Sequence, residues 1–242
     1  ISIALLVLAL CAGAYLRFTD LGAREMSADE GASWAAASAP TIREVLRAQN
    51  HLNPGKAGLH DLALHLWMRA FGERLATMRA LSASVGTLAI LLVFGAACEI
   101  FASCSQIGDS AGPSSEQRNE AAAIGALTFA VSLITIKYSR EVRMYPFVIA
   151  ALVAQTWCFF GALRSGSIAV YAGVAIFTAM ALAAHSTAVL AFSGEGLWLV
   201  YVSIANRLDL AAIAVRRALA LALAVILGAL MLAPLAPAVI GS

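Results

Sequence analysis

The stretch Arg79–Phe101, RALSASVGTLAILLVFGAACEIF, decides the fold, because its only charges, Arg79 and Glu99, lie near its two ends. A helix needs about 20 predominantly apolar residues to cross a bilayer, and this stretch supplies them. Similar apolar runs recur on both sides of it. Together they predict an all-α, polytopic membrane protein of about seven transmembrane helices, at 1–18, 79–101, 121–137, 146–163, 168–185, 187–205 and 218–240.

The composition agrees with this class. Of the 242 residues, 61% are hydrophobic and 12% are charged, and the mean hydropathy is +0.84, which is too apolar for a soluble domain of this size. The apolar runs lack the period of two that barrel strands show, so helices must satisfy the backbone. The net charge of +2 gives no indication of a nucleic-acid partner. Four cysteines without CxxC spacing indicate neither a metal knuckle nor a disulfide framework.

The chain is predicted to form one transmembrane module, 1–242, with a long polar first loop at 19–75 that carries amphipathic juxtamembrane helices. Because the chain begins and ends within apolar runs, we expect a longer protein whose C-terminal part is missing. A cleaved signal peptide at 1–16 is the alternative for its start. The loop Ser103–Glu120, rich in serine and glycine, is predicted to be flexible and to carry no chemistry.

Two adjacent acids, Asp29 and Glu30, stand in the segment Met26–Ser33 shortly after the first apolar run. An acid at that place lies either at the membrane surface or in a cavity that opens on it. The alternative is a capping box, because Ser27 precedes Glu30 by three residues. A neighbouring negative charge and partial burial both make a carboxylate a stronger base, so the pair is a candidate for proton transfer.

The segment Leu59–Phe71 is predicted to be an amphipathic helix on the membrane surface. Its polar residues Asp61, His65 and Arg69 recur every fourth position, opposite an apolar face. We interpret Asp61 and His65 as an interfacial polar face rather than as a pair of metal ligands. Arg17, at the end of the first span, is expected to extend its side chain to the membrane interface.

A second polar set, Lys137–Tyr145, lies between two apolar helices. Arg140 and Arg143 stand one helical turn apart, so both guanidinium groups could face one anion, and arginine binds phosphate oxygens bidentately. The alternative is a loop that anchors to lipid headgroups, with Tyr138 and Tyr145 in an aromatic belt. By the parity of the spans, this set lies on the same side of the membrane as Asp29.

The order of these motifs resembles glycosyltransferase family 39. The resemblance rests on an ordered set that covers residues 1 to about 200: Arg17, Asp29-Glu30, Asn53-Pro54, Leu64-His65-Leu66-Trp67, Phe71-Gly72, Arg79 and the Tyr-Ser-x-Glu-x-Arg-x-Tyr box at 138–145. That family holds protein O-mannosyltransferases and relatives of the lipid A aminoarabinose transferase, which are polytopic membrane enzymes of the GT-C fold.

The resemblance implies a polyprenyl-phosphate-linked sugar as donor and chemistry on the extracytoplasmic face of the cell membrane. It implies that Asp29 is the general base and that Glu30 lies in the acceptor site. It further implies that Arg143 and Tyr145 belong to the box of the second external loop. His185 matches a histidine common among bacterial members. This chain departs from the family at His60-Asp61, which stand where many members have tyrosines.

The residues meet the needs of such a transfer. A base must take the acceptor proton, and cations must stabilise the departing phosphate; the cations offered are Arg140, Arg143 and Lys56. Glu141 and Tyr138 complete the predicted donor site. We expect no obligatory cofactor and leave a divalent metal open. The acceptor is a protein, a lipid or a wall polymer. The alternative function is a polytopic transporter or lipid-binding protein that catalyses no transfer.

Two further predictions concern topology and a buried acid. The Lys and Arg bias over all loops would put the acids in the cytoplasm, but the bias is weak for long loops, and we place the acids outside. Glu195 falls inside a predicted span, where a charge costs about 2.5 to 3.5 kcal/mol. It must therefore be protonated, paired or directed into a cavity, and Gly194 and Gly196 beside it indicate close helix packing.

Overall fold

A computed structural model describes residues 1–53, 55–107, 113–205 and 211–232, and every regular element in these ranges is helical. The all-α prediction is therefore confirmed. The α-helices are α1 Ser2–Phe18, α2 Ala28–Ala37, α3 Ile42–Leu52, α4 Leu59–Phe71, α5 Leu75–Ile107, α6 Ser115–Val131, α7 Leu133–Ser139, α8 Tyr145–Ser165, α9 Ile168–Ala184, α10 Val189–Ala205 and α11 Ala211–Leu230, with a 3₁₀ turn at Ser186–Ala188. Pro54, the centre of the Ser103–Glu120 loop and the end of the last predicted span lie outside the described residues.

Two of the described helices, α5 and α8, are long and apolar enough to cross a membrane. The pair α6 and α7 passes the same test only if it counts as one span, and its two helices are bent by 57°. The apolar helices α1 and α9, and the Arg217–Leu230 part of α11, are shorter than a crossing requires. The described residues thus contain two or three candidate spans, and the seven predicted spans are not confirmed.

Three helices begin with a capping box, in which a hydroxyl and a Glu or Gln three residues later bond each other's backbone amides. The pairs are Ser27 with Glu30, Thr41 with Glu44, and Ser114 with Gln117. The capping-box alternative for the acid pair is therefore confirmed for Glu30. The side chain of the adjacent Asp29 takes no part in this capping box.

The break between α6 and α7 at Ser132 exposes carbonyl groups that an unbroken helix would bond. The guanidinium group of Arg17 donates to the Ala130 carbonyl at 2.8 Å and to the Thr135 hydroxyl at 3.1 Å. Arg17 is completely buried. The prediction that it extends to the membrane interface was wrong, because the broken helix offers its cation acceptors inside the protein.

Helix α5 is the centre of the packing, since it contacts α1, α4, α6, α7 and α8, and α9 packs on α8. Small residues allow the close approach that membrane helices use. Ala9 and Ala126 are fully buried against Ile90, and Gly95 leaves room for the ring of Trp157. At one end of this bundle the short helices α2, α3 and α4 pack together over the start of α5.

Helix α4 presents its polar side to the protein, which contradicts the predicted surface orientation. Asp61 and His65 are buried, and Nδ1 of His65 lies 2.8 Å from the Ala37 carbonyl of α2. Leu66 and Phe71 are instead exposed, by 59% and 61%. The amphipathic pattern is real, but Asp61 and His65 face the interior of the bundle, while Arg69 and part of the apolar face are exposed.

Candidate functional site

The predicted site residues come from distant parts of the chain and meet at one end of the bundle. The start of α2, the segment 55–61, the turn between α7 and α8, and the residues that follow α9 all contribute. Contacts between the acid pair and the Lys137–Tyr145 set bring them together at this end of the bundle, and their common side of a membrane stays a prediction.

Asp29 and Arg143 form the open front of this end. The Nη2 atom of Arg143 lies 3.5 Å from Oδ2 of Asp29, and Nη1 donates to the Asp29 backbone carbonyl at 3.3 Å. The side chain of Asp29 is 75% exposed, whereas that of Arg143 is 11% exposed. The expected partial burial of Asp29 was wrong, because the second position of α2 faces outward. The pair offers an accessible carboxylate beside an almost buried cation.

Glu30 is buried, and both of its carboxylate oxygens are occupied. They accept from the Arg79 guanidinium at 2.8 and 2.9 Å, from the Val142 amide at 2.9 Å, and from Ser27. Burial by itself would raise the pKa of Glu30, but the bonds from Arg79, Ser27 and Val142 outweigh it and lower the pKa to about 2. A direct contact of Glu30 with an acceptor stays a prediction. The observed contacts align α2 with the turn that carries Arg143.

The tyrosines of the box surround the arginine. The guanidinium carbon of Arg143 lies 5.5 Å from the ring centre of Tyr145, a cation–π distance, and the rings of Tyr145 and Tyr138 are 4.3 Å apart. The carbonyl of Glu141 accepts the Arg143 amide at 2.8 Å, so Glu141 shapes the turn through its backbone. These contacts fix the arginine in front of an aromatic pair.

Arg140 serves a different contact from Arg143. Its guanidinium group donates to the Thr19 carbonyl at 2.7 Å, at the end of α1. The turn that separates α7 from α8 interrupts the helix on which the two arginines would share a face. Arg140 thus ties α1 to the box, and its predicted contact with the anion stays a prediction.

Lys56 lies in a short segment between two glycines that both have a positive φ, Gly55 and Gly58. A side chain at Gly58 would also strike Leu46. The Lys56 carbonyl accepts from Gln49, and the neighbouring Ala57 amide donates to the Ala183 carbonyl of α9 at 3.0 Å. The segment is therefore fixed on two sides, and it holds the lysine in the interior.

His60, Asp61 and Lys56 form a buried polar cluster behind the front pair. Nζ of Lys56 lies 3.7 Å from Oδ2 of Asp61, and Nδ1 of His60 lies 3.5 Å from Oδ1. Burial lowers the pKa of Lys56, and the Asp61 charge opposes that change. Burial alone would raise the pKa of Asp61, but His60 and Lys56 hold it below its ordinary value. The His60 ring also packs edge-on against Phe147.

His185 follows α9 and lies at the same end of the bundle. Its Nδ1 accepts from the Thr187 amide at 3.2 Å and lies 2.9 Å from the Thr187 hydroxyl. Burial, together with the positive charges of Lys56 and Arg143, lowers the pKa of His185. It thus lies near both cations, and its part in a substrate site stays a prediction.

Sequence reasoning missed two groups that build this end. Arg79 marks the start of a span in the sequence, but it donates five hydrogen bonds to the first loop. Two go to Glu30 and three go to the carbonyls of Leu21, Arg24 and Glu25. The second group is the buried cluster of Lys56, His60 and Asp61. The adjacent charged residues at 60 and 61, in place of two tyrosines, were its only signal in the sequence.

Two polar features lie away from this end. Arg164 pairs with Glu99 at 2.6 Å beside an apolar cavity of about 400 Å³ at the opposite end of α5 and α8. Glu195 accepts from Gln155 at 2.9 Å and from Thr156 at 3.1 Å, so it is paired, as one of the predicted alternatives required. Among the described residues, no group of three or more His, Cys, Asp and Glu is placed to hold a metal ion.

Comparison of this chain with protein-family models, with curated proteins and with solved structures finds no match.

Proposed function

We propose that the protein is a membrane glycosyltransferase that moves a sugar from a polyprenyl-phosphate donor to an acceptor hydroxyl. The observation that carries the proposal is the Asp29–Arg143 pair, an exposed carboxylate 3.5 Å from a nearly buried guanidinium group. Lys56 and His185 lie within electrostatic range of that pair. A base at the surface and cations behind it are what a transfer from a phosphate requires.

In the free protein, each cation faces a carboxylate at a distance longer than a normal hydrogen bond. Arg143 is 3.5 Å from Asp29, and Lys56 is 3.7 Å from Asp61. The donor phosphate competes with these carboxylates for the cations. When it engages Arg143, Asp29 is released to accept a proton. Donor binding therefore prepares the base.

The transfer balances as one displacement at the anomeric carbon of the sugar. The acceptor oxygen forms a bond to that carbon and gives its proton to the Asp29 carboxylate. The bond between the carbon and the phosphate oxygen breaks, and its electron pair leaves with the phosphate. Arg143 and Lys56 stabilise the negative charge that develops on that oxygen. The products are a glycosylated acceptor and a polyprenyl phosphate.

Glu30 and Tyr145 position these groups. The Glu30 carboxylate bonds the Val142 amide next to Arg143 and stands next to Asp29 in the chain, so a single side chain fixes the spacing of the front pair. Tyr145 lies against the guanidinium group of Arg143. Its neighbour Tyr138 extends the aromatic surface on which a sugar ring can stack.

We place the site on the extracytoplasmic face of the cell membrane, in a GT-C-like arrangement of about seven spans. The presence of α5, α8 and the bent α6–α7 pair supports a membrane location. The bilayer would hold the polyprenyl chain beside the exposed apolar residues of α4, Leu66 and Phe71. Cysteine labelling tests the side. We expect an impermeant maleimide to label Asp29→Cys in intact cells but not Ser115→Cys, and the reverse pattern would overturn the placement.

The central test compares Asp29→Asn with Asp20→Asn in the full chain. Asp20 is an exposed acid of the same loop, and asparagine tolerates its left-handed backbone, φ 53°. Membranes are supplied with a radiolabelled prenyl-phosphate sugar, and label in lipid and polymer fractions is counted. We expect Asp29→Asn to abolish transfer and to keep donor binding, while Asp20→Asn transfers normally. Full transfer by Asp29→Asn would overturn the base assignment.

Arg143→Ala separates donor from acceptor recognition. Loss of a charge-assisted contact of about 1.5 to 3 kcal/mol predicts a donor affinity at least tenfold lower, while the acceptor dependence stays unchanged. An unchanged donor affinity would contradict the phosphate assignment. Donor binding by the wild-type protein without any transfer would instead favour the alternative, a lipid-binding membrane protein or transporter.

A further inference from the structure

The cluster of Lys56, His60 and Asp61 leaves an unusual number of polar atoms without partners. All three side chains are at least nine-tenths buried. Within the part of the chain that the structure describes, no hydrogen bond reaches the Nζ atom of Lys56, the ring nitrogens of His60 or the carboxylate oxygens of Asp61. Buried polar groups are normally hydrogen-bonded, because a group without such a bond loses the contacts that it makes with water in the unfolded chain. A buried cluster of polar groups with so few hydrogen bonds is therefore a candidate for a functional role.

The backbone around Lys56 is fixed, so only its side chain can respond to a ligand. Gln49 binds the Lys56 carbonyl at 3.2 Å, and the amide of Ala57 is bonded to Ala183. The ammonium group, in contrast, makes no hydrogen bond to any described residue that would have to break when it turns. It lies 3.7 Å from Asp61 and within the field of Asp29 and Arg143. A rigid backbone thus carries a charge that is free to change partner.

We propose that Asp61, supported by His60, is a positioning residue that keeps Lys56 charged behind the Asp29–Arg143 pair until Lys56 turns to an anionic ligand. The inference rests on the proposed function, because the ligand is the phosphate of the donor. The Asp61 carboxylate occupies the position next to Nζ of Lys56 that the donor phosphate takes when it binds. Its attraction is loose enough to be exchanged, since the Asp61 carboxylate lies 3.7 Å from Nζ of Lys56, farther than a normal hydrogen bond.

The charge of Lys56 depends on every group that faces it. Asp61 and His60 face it from α4, Asp29 from α2, Arg143 from the turn before α8, and His185 is near the same charges after α9. Removal of the Asp61 charge leaves the burial and the repulsion from Arg143 in place. The lysine then loses its proton at a lower pH than in the wild type. As the pH rises, anion binding should therefore weaken at a lower pH in the variant without the Asp61 charge than in the wild type.

The test measures binding of methyl farnesyl phosphate to the full chain in detergent micelles over a range of pH. This phosphodiester keeps one negative charge throughout, so its own titration does not interfere. We expect Asp61→Asn to bind like the wild type at the acidic end, which also shows that the variant is folded. At the alkaline end its affinity should be about tenfold lower, the loss of one charge-assisted contact.

The double variant K56R/D61N distinguishes positioning from a merely structural role. Arginine keeps its charge over the whole range, so the pH dependence introduced by Asp61→Asn should disappear. Asp61→Asn with a wild-type pH profile, with a uniform loss at all pH values, or without rescue by arginine would overturn the inference while leaving the anion site intact. Failure of the wild-type protein to bind the probe at any pH would overturn the proposed anion site itself.

Discussion

Replacing Glu30 by glutamine should weaken the fold through the loss of a single charge. Glutamine keeps the shape of the side chain and still serves in a capping box. It removes the negative charge that Arg79 faces at 2.8 and 2.9 Å. The substitution therefore removes the ion pair and, because the amide has one acceptor oxygen in place of two, also the bonds to either Val142 or Ser27.

The size of the effect follows from the Glu30 carboxyl. Its pKa falls from 4.5 to about 2 in the folded protein, and a tenfold change in an equilibrium constant is worth about 1.4 kcal/mol. The charged form thus contributes about 3 kcal/mol to the free energy of unfolding. A single broken buried pair costs about 3 to 5 kcal/mol. Arg79 keeps three carbonyl acceptors, which favours the lower value.

Equilibrium unfolding in detergent micelles, followed by tryptophan fluorescence, measures the effect. The matched control is Glu44→Gln, since Glu44 belongs to a second capping box with Thr41 but is exposed. We expect a loss of about 3 kcal/mol for Glu30→Gln and a change within about 0.5 kcal/mol for Glu44→Gln. Because both glutamates belong to capping boxes, the Glu44→Gln control shows how much of the loss comes from the cap itself.

The pH dependence gives a second check with a definite sign. Because the folded pKa of Glu30 is lowered, its stabilisation is complete above 4.5 and is lost as the pH falls through about 2. The difference between wild type and Glu30→Gln should shrink over that window, since the glutamine variant has no carboxyl to protonate. Equal stability of the two proteins at neutral pH, or a difference that does not change with pH, would refute the ion-pair argument.

Two other predictions concern the helix bundle. Arg17→Met should lower the free energy of unfolding by about 2 kcal/mol, because it leaves the Ala130 carbonyl at the end of α6 without its donor. Equilibrium unfolding in micelles measures this change. An unchanged stability would show that the break between α6 and α7 is stable without Arg17. Gly95→Ala should cost about 1 to 3 kcal/mol, since the new Cβ would overlap the Trp157 ring. Gly125→Ala, which meets nothing within 4 Å, should be neutral or stabilising, and equal effects at both glycines would contradict the packing.

The sequence predicted the helical class well because the apolar runs and the caps are local signals. Ser27 with Glu30 can be recognised from spacing alone, and so can the apolar stretch of α5. The number of spans could not be fixed in the same way. The bend at Ser132 lies within a continuous apolar run, and it depends on the buried Arg17 that satisfies the exposed carbonyls. That contact joins residues far apart in the chain.

The candidate site shows the same division. The types and order of Asp29, Arg143 and Lys56 were visible in the sequence, and parity predicted that the acid pair and the arginine box share one side. The burial of each group was not predictable, because it depends on which face α2 and α4 turn inward. The sequence therefore placed Glu30 beside Asp29 in the site. In the structure, Glu30 is buried against Arg79, whereas the Asp29 carboxylate is exposed beside Arg143.

The bonds that fix the lysine segment have a consequence for biosynthesis. Gly55 and Ala57 are hydrogen-bonded to Ser186 and Ala183. About half of the whole chain is synthesised between the first pair of residues and the second. Loops that close so late form slowly, and chains fold from the N-terminus during synthesis. The lysine consequently reaches its place only when α9 has emerged and inserted. A nascent chain cut before α9 should carry Asp29 and Arg143 without the bonds that fix Lys56, so the arrival of α9 decides when the proposed site is complete.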